Sequence, residues 1–105
     1  MTDTVGVGQD VTLTCARPTN KYKSTTLFWI RLVAGNLPEF LGGTFSFDYD
    51  GVNNTPHVIT KQQPGTFVLH IKKAELSDTG LYYCINVDQL HMTLLKGIFL
   101  RIEGK

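Results

Sequence analysis

The stretch that most constrains the fold of this chain runs from Leu76 to Cys84 and reads LSDTGLYYC. Asp78 and Gly80 suit a tight turn, because Asp bonds its own backbone and Gly tolerates positive φ. Tyr82 and Cys84 are two residues apart, so on a strand they share one face. The Tyr82 hydroxyl can then bond back to the backbone of the corner. The stretch therefore predicts a turn followed by a strand that enters a core.

Two other segments supply what such a core needs. From Val11 to Cys15, apolar side chains alternate with threonines, which predicts a half-buried strand with Cys15 on its inner face. From Leu27 to Leu32 a second strand carries the single tryptophan of the chain, Trp29. The chain therefore has two cysteines and a tryptophan on strands that can meet in one core.

These features resemble an immunoglobulin-superfamily V-set domain over essentially the whole chain, through Cys15, Trp29, Asp78, Gly80, Tyr82 and Cys84. Leu27 to Leu32 and the segment after Cys84 most resemble the V domains of the novel immune-type receptors of bony fish and related multigene immune receptors. The resemblance implies an all-β, two-sheet Greek-key sandwich with an inter-sheet disulfide between Cys15 and Cys84, packed against Trp29. Closing a loop of that size is worth roughly 4 kcal/mol in the chain-entropy model.

The expected strands follow from alternation and turn residues, with no convincing helix among them. They are Thr4 to Val7, Val11 to Cys15, Leu27 to Leu32, Glu39 to Leu41, Thr44 to Tyr49, His57 to Lys61, Thr66 to Lys72, Gly80 to about Val87, and Thr93 to Ile102. Leu76 is expected to cap the core.

The chain departs from the V-set pattern in two places. His57 stands where many V domains have an arginine that pairs with the corner aspartate. The run Leu94 to Gly97 stands where rearranging receptors have Phe-Gly-x-Gly. That second departure puts in doubt a bulge set by the first glycine, and with it antibody-like pairing.

Length and composition limit the possible functions. The 105 residues predict a single domain, 1–105. A net charge of +1 gives no clustered basic face, so nucleic acid is not an expected partner. Two cysteines in a strand-rich chain indicate an oxidising compartment. Met1 before a polar strand looks like an added initiator on an excised ectodomain, so a membrane link is expected only through a missing anchor segment.

Alternation also predicts which side chains leave the core, because the neighbours of Trp29, Tyr82 and Cys84 must face outward. This outward set, called the apolar face below, is Phe28, Ile30, Leu32, Pro38, Phe40, Tyr83, Ile85 and Leu94. A solvated sheet face is normally polar, and contiguous exposed apolar patches usually mark an interface. In V-set proteins this is the dimer or ligand face, although the domain's own loops could cover part of it.

Loops at one end of the domain form a second candidate binding region. Their side chains combine aromatic and adaptable polar groups, as paratopes do. The candidates are Tyr22, Phe45, Phe47, Tyr49, Asp88, Leu90, His91 and Met92. The loop predicted from Asp88 to Met92 is short, which favours a fixed recognition surface. Asn53 opens a glycosylation sequon on a predicted loop. Ordinary solvated loops are the alternative reading.

Arg31 lies on the inward parity of its strand, where an unpaired charge is costly. Glu39 and Asp78 are its expected partners, and His57 is a possible further partner of Asp78. We predict no enzyme, metal or cofactor, because the three histidines have no metal-ligand spacing and both cysteines are committed to the bridge. The expected function is a cell-surface immune receptor domain that binds a protein ligand on another cell or in cis. A homophilic or cis-dimerising module using the same face is the alternative, and a secreted form is possible.

Overall fold

The computed structural model describes residues 2–16, 26–33, 35–43, 57–63, 65–88 and 91–104. Eight strands lie within these ranges, and the sequence predicts most of them to within two or three residues. They are β1 (Thr2–Gly6), β2 (Val11–Ala16), β3 (Thr26–Leu32), β4 (Glu39–Gly43), β5 (Val58–Gln63), β6 (Thr66–Ile71), β7 (Gly80–Asp88) and β8 (His91–Glu103). The strand predicted from Thr44 to Tyr49 lies outside the described residues.

The strands form two sheets that pack face to face. The larger sheet has the order β1-β8-β7-β3-β4, and the smaller has the order β2-β6-β5. All described pairings are antiparallel except the one between β1 and β8. The prediction of an all-β, two-sheet sandwich is confirmed.

The core between the sheets is built on the predicted disulfide. Cys15 of β2 and Cys84 of β7 are bonded, with a Cα–Cα distance of 6.4 Å. Trp29, directly opposite Cys84 in the pairing of β3 with β7, is fully buried. The alternation of β2 holds along its whole length, with Val11, Leu13 and Cys15 buried and the residues between them exposed. The disulfide therefore joins the two sheets across their apolar inner faces.

Two bulges each place an extra leucine in the interior. In the pairing of β3 with β4 the register slips by one residue at Leu41, which is buried. In the pairing of β7 with β8 it slips at Leu95, which packs against the core. The sequence put a bulge at this second position in doubt, because the usual glycine is missing. The structure shows that a bulge forms there without glycine, since Leu95 finds an apolar site.

Two sequence expectations were wrong. Leu76 does not cap the core but is 60% exposed, because a single 3₁₀ turn at Leu76–Asp78 carries its side chain outward. The chain between β7 and β8 is shorter than predicted: His91 and Met92 already belong to β8, which leaves two residues between the strands. The hairpin of β7 and β8 is long because the paired residues continue as far as Asp88 and His91.

Candidate protein-binding site

The register of the larger sheet assembles the apolar face from four strands. Ile30 of β3 lies between Phe40 of β4 and Tyr83 of β7, and Tyr83 is opposite Gly97 of β8. A second row contains Gly43, Phe28, Ile85 and Leu94 in the same strand order. The predicted members on these four strands therefore lie side by side on one surface.

A third row extends this surface beyond the prediction. Leu32 is opposite Leu81, and Leu81 is opposite Phe99. Leu81 and Phe99 are 36% and 37% exposed, respectively. Sequence reasoning missed both residues, although alternation from Tyr83 gives Leu81 and alternation from the buried Ile98 and Leu100 gives Phe99. The apolar face with these two additions covers three consecutive rows of the sheet.

Aromatic rings on the apolar face lie across glycines of the neighbouring strands. A Cβ atom at Gly43 would approach the Phe28 ring to 2.6 Å, and one at Gly97 would approach the Tyr83 ring to 3.0 Å. The rings of Phe28 and Phe40 also pack together, with their centroids 5.3 Å apart. Phe28 and Tyr83 are consequently half-buried, whereas Leu94 is 58% exposed. The two glycines allow broad apolar surfaces to lie flat on the sheet.

The predicted loop residues are only partly within the described structure. Tyr22, Phe45, Phe47, Tyr49, Leu90 and Asn53 lie outside the described residues, as does the side chain of Asp88. His91 and Met92 are exposed at the start of β8, and Met92 is 71% exposed. Pro38, also exposed, precedes β4 next to the turn that follows β3.

A network of charged side chains joins the two sheets at one end of the sandwich. Arg31 donates to Glu39 Oε1 from Nη2 at 2.8 Å and to Asp78 Oδ1 from Nη1 at 3.0 Å. His57 Nε2 lies 2.8 Å from Asp78 Oδ2, which also accepts the Glu75 backbone N–H. Both expected partners of Arg31 are therefore in contact with it, and His57 joins the network where an arginine is usual.

The corner next to this network depends on Tyr82. Its hydroxyl donates to the Asp78 carbonyl at 2.6 Å and accepts from Arg31 Nη1 at 3.2 Å. Burial raises the pKa of the Tyr82 phenol, and the hydrogen bond from Arg31 partly opposes that rise. Burial lowers the pKa of the Arg31 guanidinium, but its hydrogen bonds with Tyr82 and Glu39 outweigh this and raise it above its usual range. Arg31 therefore stays charged, and the network has a structural role.

The described residues contain no group of three or more His, Cys, Asp or Glu side chains that could hold a metal ion. The two cysteines form the disulfide, so no free thiol is present. Within the same ranges, no helix has the length and apolarity needed to cross a membrane.

Residues 2–102 match the family model of the immunoglobulin V-set domain. The chain belongs to the immunoglobulin V-set family. V-set domains are binding modules without enzymatic activity, and they typically bind proteins. A disulfide-bonded V-set domain also suggests an extracellular location. In this V-set domain the apolar face lies on the outside of the larger sheet, where a partner could contact it.

Proposed function

We propose that this V-set domain is the extracellular recognition domain of a cell-surface immune receptor and that it binds a protein ligand through the apolar face. The proposal rests on the three apolar rows on the outside of the larger sheet, because a sheet face that contacts solvent normally carries polar residues. The V-set match over residues 2–102 supports a protein-binding role.

The apolar face also has the size of an interface core. With strands about 4.8 Å apart and same-face residues about 6.8 Å apart, two rows on four strands and a third row on three strands cover roughly 350 Å². That is about half of the roughly 800 Å² that each partner contributes to a standard interface. A rim of more polar contacts must therefore complete the site. The exposed His91 and Met92 on β8 and the other loop candidates named above are proposed to supply it.

A homophilic or cis-dimerising module is the second candidate. The three rows contain no charged side chain, so two copies of the face would meet without like-charge repulsion. The nearest charges on that side of β8 are Arg101 and Glu103, which pair with each other at 3.5 Å. This observation favours self-association as strongly as it favours an uncharged ligand surface.

The test compares Ile30→Arg with Thr12→Arg, which adds the same charge to the outside of the smaller sheet. Binding of the labelled domain to a panel of cells and sedimentation velocity of the domain alone are measured for both variants. We expect Ile30→Arg to weaken binding or self-association about a hundredfold, as for a residue at the centre of an interface, and Thr12→Arg to leave it unchanged. Equal behaviour of the two variants would contradict a role for the apolar face.

The same experiment separates the two candidates. A parent domain that dimerises, and a dimer that Ile30→Arg abolishes, would favour homophilic or cis pairing. A monomeric parent whose cell binding depends on Ile30 would favour a distinct protein ligand. Unfolding of each variant is followed in parallel, because both positions are at least partly exposed and little loss of stability is expected.

A further inference from the structure

Of the residues in the three rows of the apolar face, Tyr83 alone carries a polar side-chain group. It is opposite Ile30 of β3 on one side and Gly97 of β8 on the other. Its neighbours on the same side of β7 are Leu81 and Ile85, because residues two apart share a strand face. The Tyr83 hydroxyl is therefore surrounded by side chains that can neither donate nor accept a hydrogen bond.

The ring of Tyr83 lies across β8. Its Cε1 atom, which is bonded to the carbon that carries the hydroxyl, would be 3.0 Å from a Cβ atom at Gly97. In the pairing of β7 with β8, Gly97 lies between the rows of Leu94 and Phe99. These two side chains are 58% and 37% exposed, respectively. A partner that covers both of them therefore covers the Tyr83 hydroxyl as well.

In the free domain this hydroxyl is accessible to water. No hydrogen bond of the described residues involves it. The buried side-chain N and O atoms without a partner in the same ranges are Trp29 Nε1 and Asn86 Oδ1, so the Tyr83 hydroxyl is not a buried atom. Tyr82, one residue earlier, differs because its hydroxyl donates to the Asp78 carbonyl inside the domain. Only the Tyr83 hydroxyl is thus available to a partner.

Covering a hydroxyl without replacing its bond to water lowers the affinity of a complex. One unpaired group of this kind lowers affinity by about tenfold or more. An uncharged acceptor, such as a backbone or amide carbonyl, restores the bond. A carboxylate would do so less well, because it would lose its own hydration among apolar side chains. The Tyr83 hydroxyl therefore favours a surface that places a carbonyl over β8.

A second copy of the apolar face offers an acceptor in one arrangement only. Two identical faces meet about a two-fold axis, and each contact between two different residues then occurs twice. The two Tyr83 hydroxyls meet only if that axis passes beside them. In every other alignment each hydroxyl meets an apolar side chain of the second copy. The lack of charge on the face permits self-association, but the Tyr83 hydroxyl opposes it.

We propose that the Tyr83 hydroxyl determines which kind of protein the apolar face binds. It selects a different protein that presents an uncharged hydrogen-bond acceptor, and it disfavours a second copy of this chain. Gly97 contributes by leaving space above β8 for the Tyr83 ring and for the acceptor. This inference rests on the proposed function of the apolar face and distinguishes between its two candidate partners.

The test uses Tyr83→Phe, which keeps the ring across Gly97 and removes only the hydroxyl. Tyr82→Phe removes the same group from the core, one residue away, and is the matched control. Self-association is measured by sedimentation velocity over a wide concentration range. Binding of the labelled domain is measured on every cell type that binds the parent. Each variant is also combined with Ile30→Arg, which is expected to remove association through the apolar face.

We expect Tyr83→Phe to change the two measurements in opposite directions. Cell binding should weaken by about tenfold or more, because the acceptor on the ligand loses its donor. Self-association should become tighter by about tenfold or more, because the face no longer carries an unpaired hydroxyl, and Ile30→Arg should reverse this gain. Tyr82→Phe should match the parent in both measurements.

Any of three results would overturn the inference. The first is a Tyr83→Phe domain that sediments like the parent at every concentration. The second is weaker self-association of this variant, because the hydroxyls would then pair between two copies. The third is cell binding that Tyr83→Phe leaves unchanged or strengthens, because the ligand would then offer no acceptor.

Ile30→Arg separates a failure of this inference from a failure of the proposed function. If Ile30→Arg abolishes cell binding and Tyr83→Phe does not weaken it, the apolar face is the binding site and only the role of the hydroxyl is wrong. If Ile30→Arg changes neither cell binding nor self-association, the apolar face is not the binding site, and the inference fails together with the proposed function.

Discussion

The two outer faces of this sandwich differ although the same core supports both. The outside of the smaller sheet carries Thr12, Thr14, Lys61, Thr66 and His70, and the Thr12 hydroxyl lies 3.0 Å from His70 Nδ1. The outside of the larger sheet carries aromatic and aliphatic side chains in three rows. Because a sandwich needs apolar residues only on its inner faces, folding does not explain the second pattern.

The two outer faces also differ in how far single apolar residues are exposed to solvent. Two apolar residues, Val68 and Ile59, are outward in register on the smaller sheet, but Val68 is only 3% exposed and Ile59 is half-buried. Leu94 of the larger sheet is 58% exposed. Val68 is thus withdrawn from water, whereas Leu94 is presented to it. This difference agrees with the proposal that the larger sheet binds a protein, because the stability of the fold does not require exposed apolar residues there.

The largest effect is expected where the two sheets are joined by charge. Asp78 contacts Arg31 of the larger sheet and His57, which precedes the first strand residue of β5 in the smaller sheet. Its side chain is 4% exposed. Asp78→Ala should lower the free energy of unfolding by about 3 kcal/mol or more, because it leaves buried donors without their acceptor. Denaturant unfolding measures the loss of stability, which should involve both sheets together.

Glu39→Ala is the matched control for this prediction. Glu39 also accepts from Arg31, but its side chain is 55% exposed, and such a pair contributes less than about 1 kcal/mol. If Glu39→Ala cost as much as Asp78→Ala, the burial of Asp78 would not be the reason for its importance.

The sequence predicted the interior better than the surface, for physical reasons. The positions of Cys15, Trp29, Tyr82 and Cys84 follow from a two-residue alternation that one-sided burial enforces. The same alternation gives most of the apolar face. It failed at Leu76, where a short turn replaces the strand pattern, and it could not show that Leu95 would fill a bulge. The hydrogen bond from Lys96 Nζ to the Thr14 carbonyl joins residues 82 positions apart, so no local pattern in the chain could reveal it.

A second prediction compares Tyr82, whose side chain is buried between the two sheets, with its neighbour Tyr83, which lies on the apolar face. The pKa of Tyr82 is raised by burial, so folding favours the neutral phenol. Its contribution to stability is complete below the unfolded-state pKa of about 10 and is lost as the pH rises toward the higher folded-state pKa. The free energy of unfolding should therefore fall in that alkaline range.

Tyr82→Phe tests this origin of the alkaline loss. The variant should lose about 1 kcal/mol at neutral pH, because the bond to the Asp78 carbonyl is gone, and its alkaline decline should be shallower than that of the parent. Tyr83→Phe removes a phenol outside the core and serves as the control. Parallel declines of the parent and Tyr82→Phe would assign the alkaline loss to other groups.

The smallest effect on stability tests whether the polarity of the smaller sheet is a requirement of the fold. Thr12→Val with His70→Phe replaces a hydrogen-bonded cross-strand pair by an apolar one. Such pairs contribute roughly 0.2–1 kcal/mol either way, so the free energy of unfolding should change by about 0.5 kcal/mol or less. Thr12→Val alone removes the bond without a new contact and is the control.

We expect the double variant to self-associate more than the control in sedimentation velocity, because it presents a new apolar patch. A large loss of stability in the double variant would mean that this sheet needs its polar face to fold, and polarity alone would then no longer distinguish a binding face from a structural one.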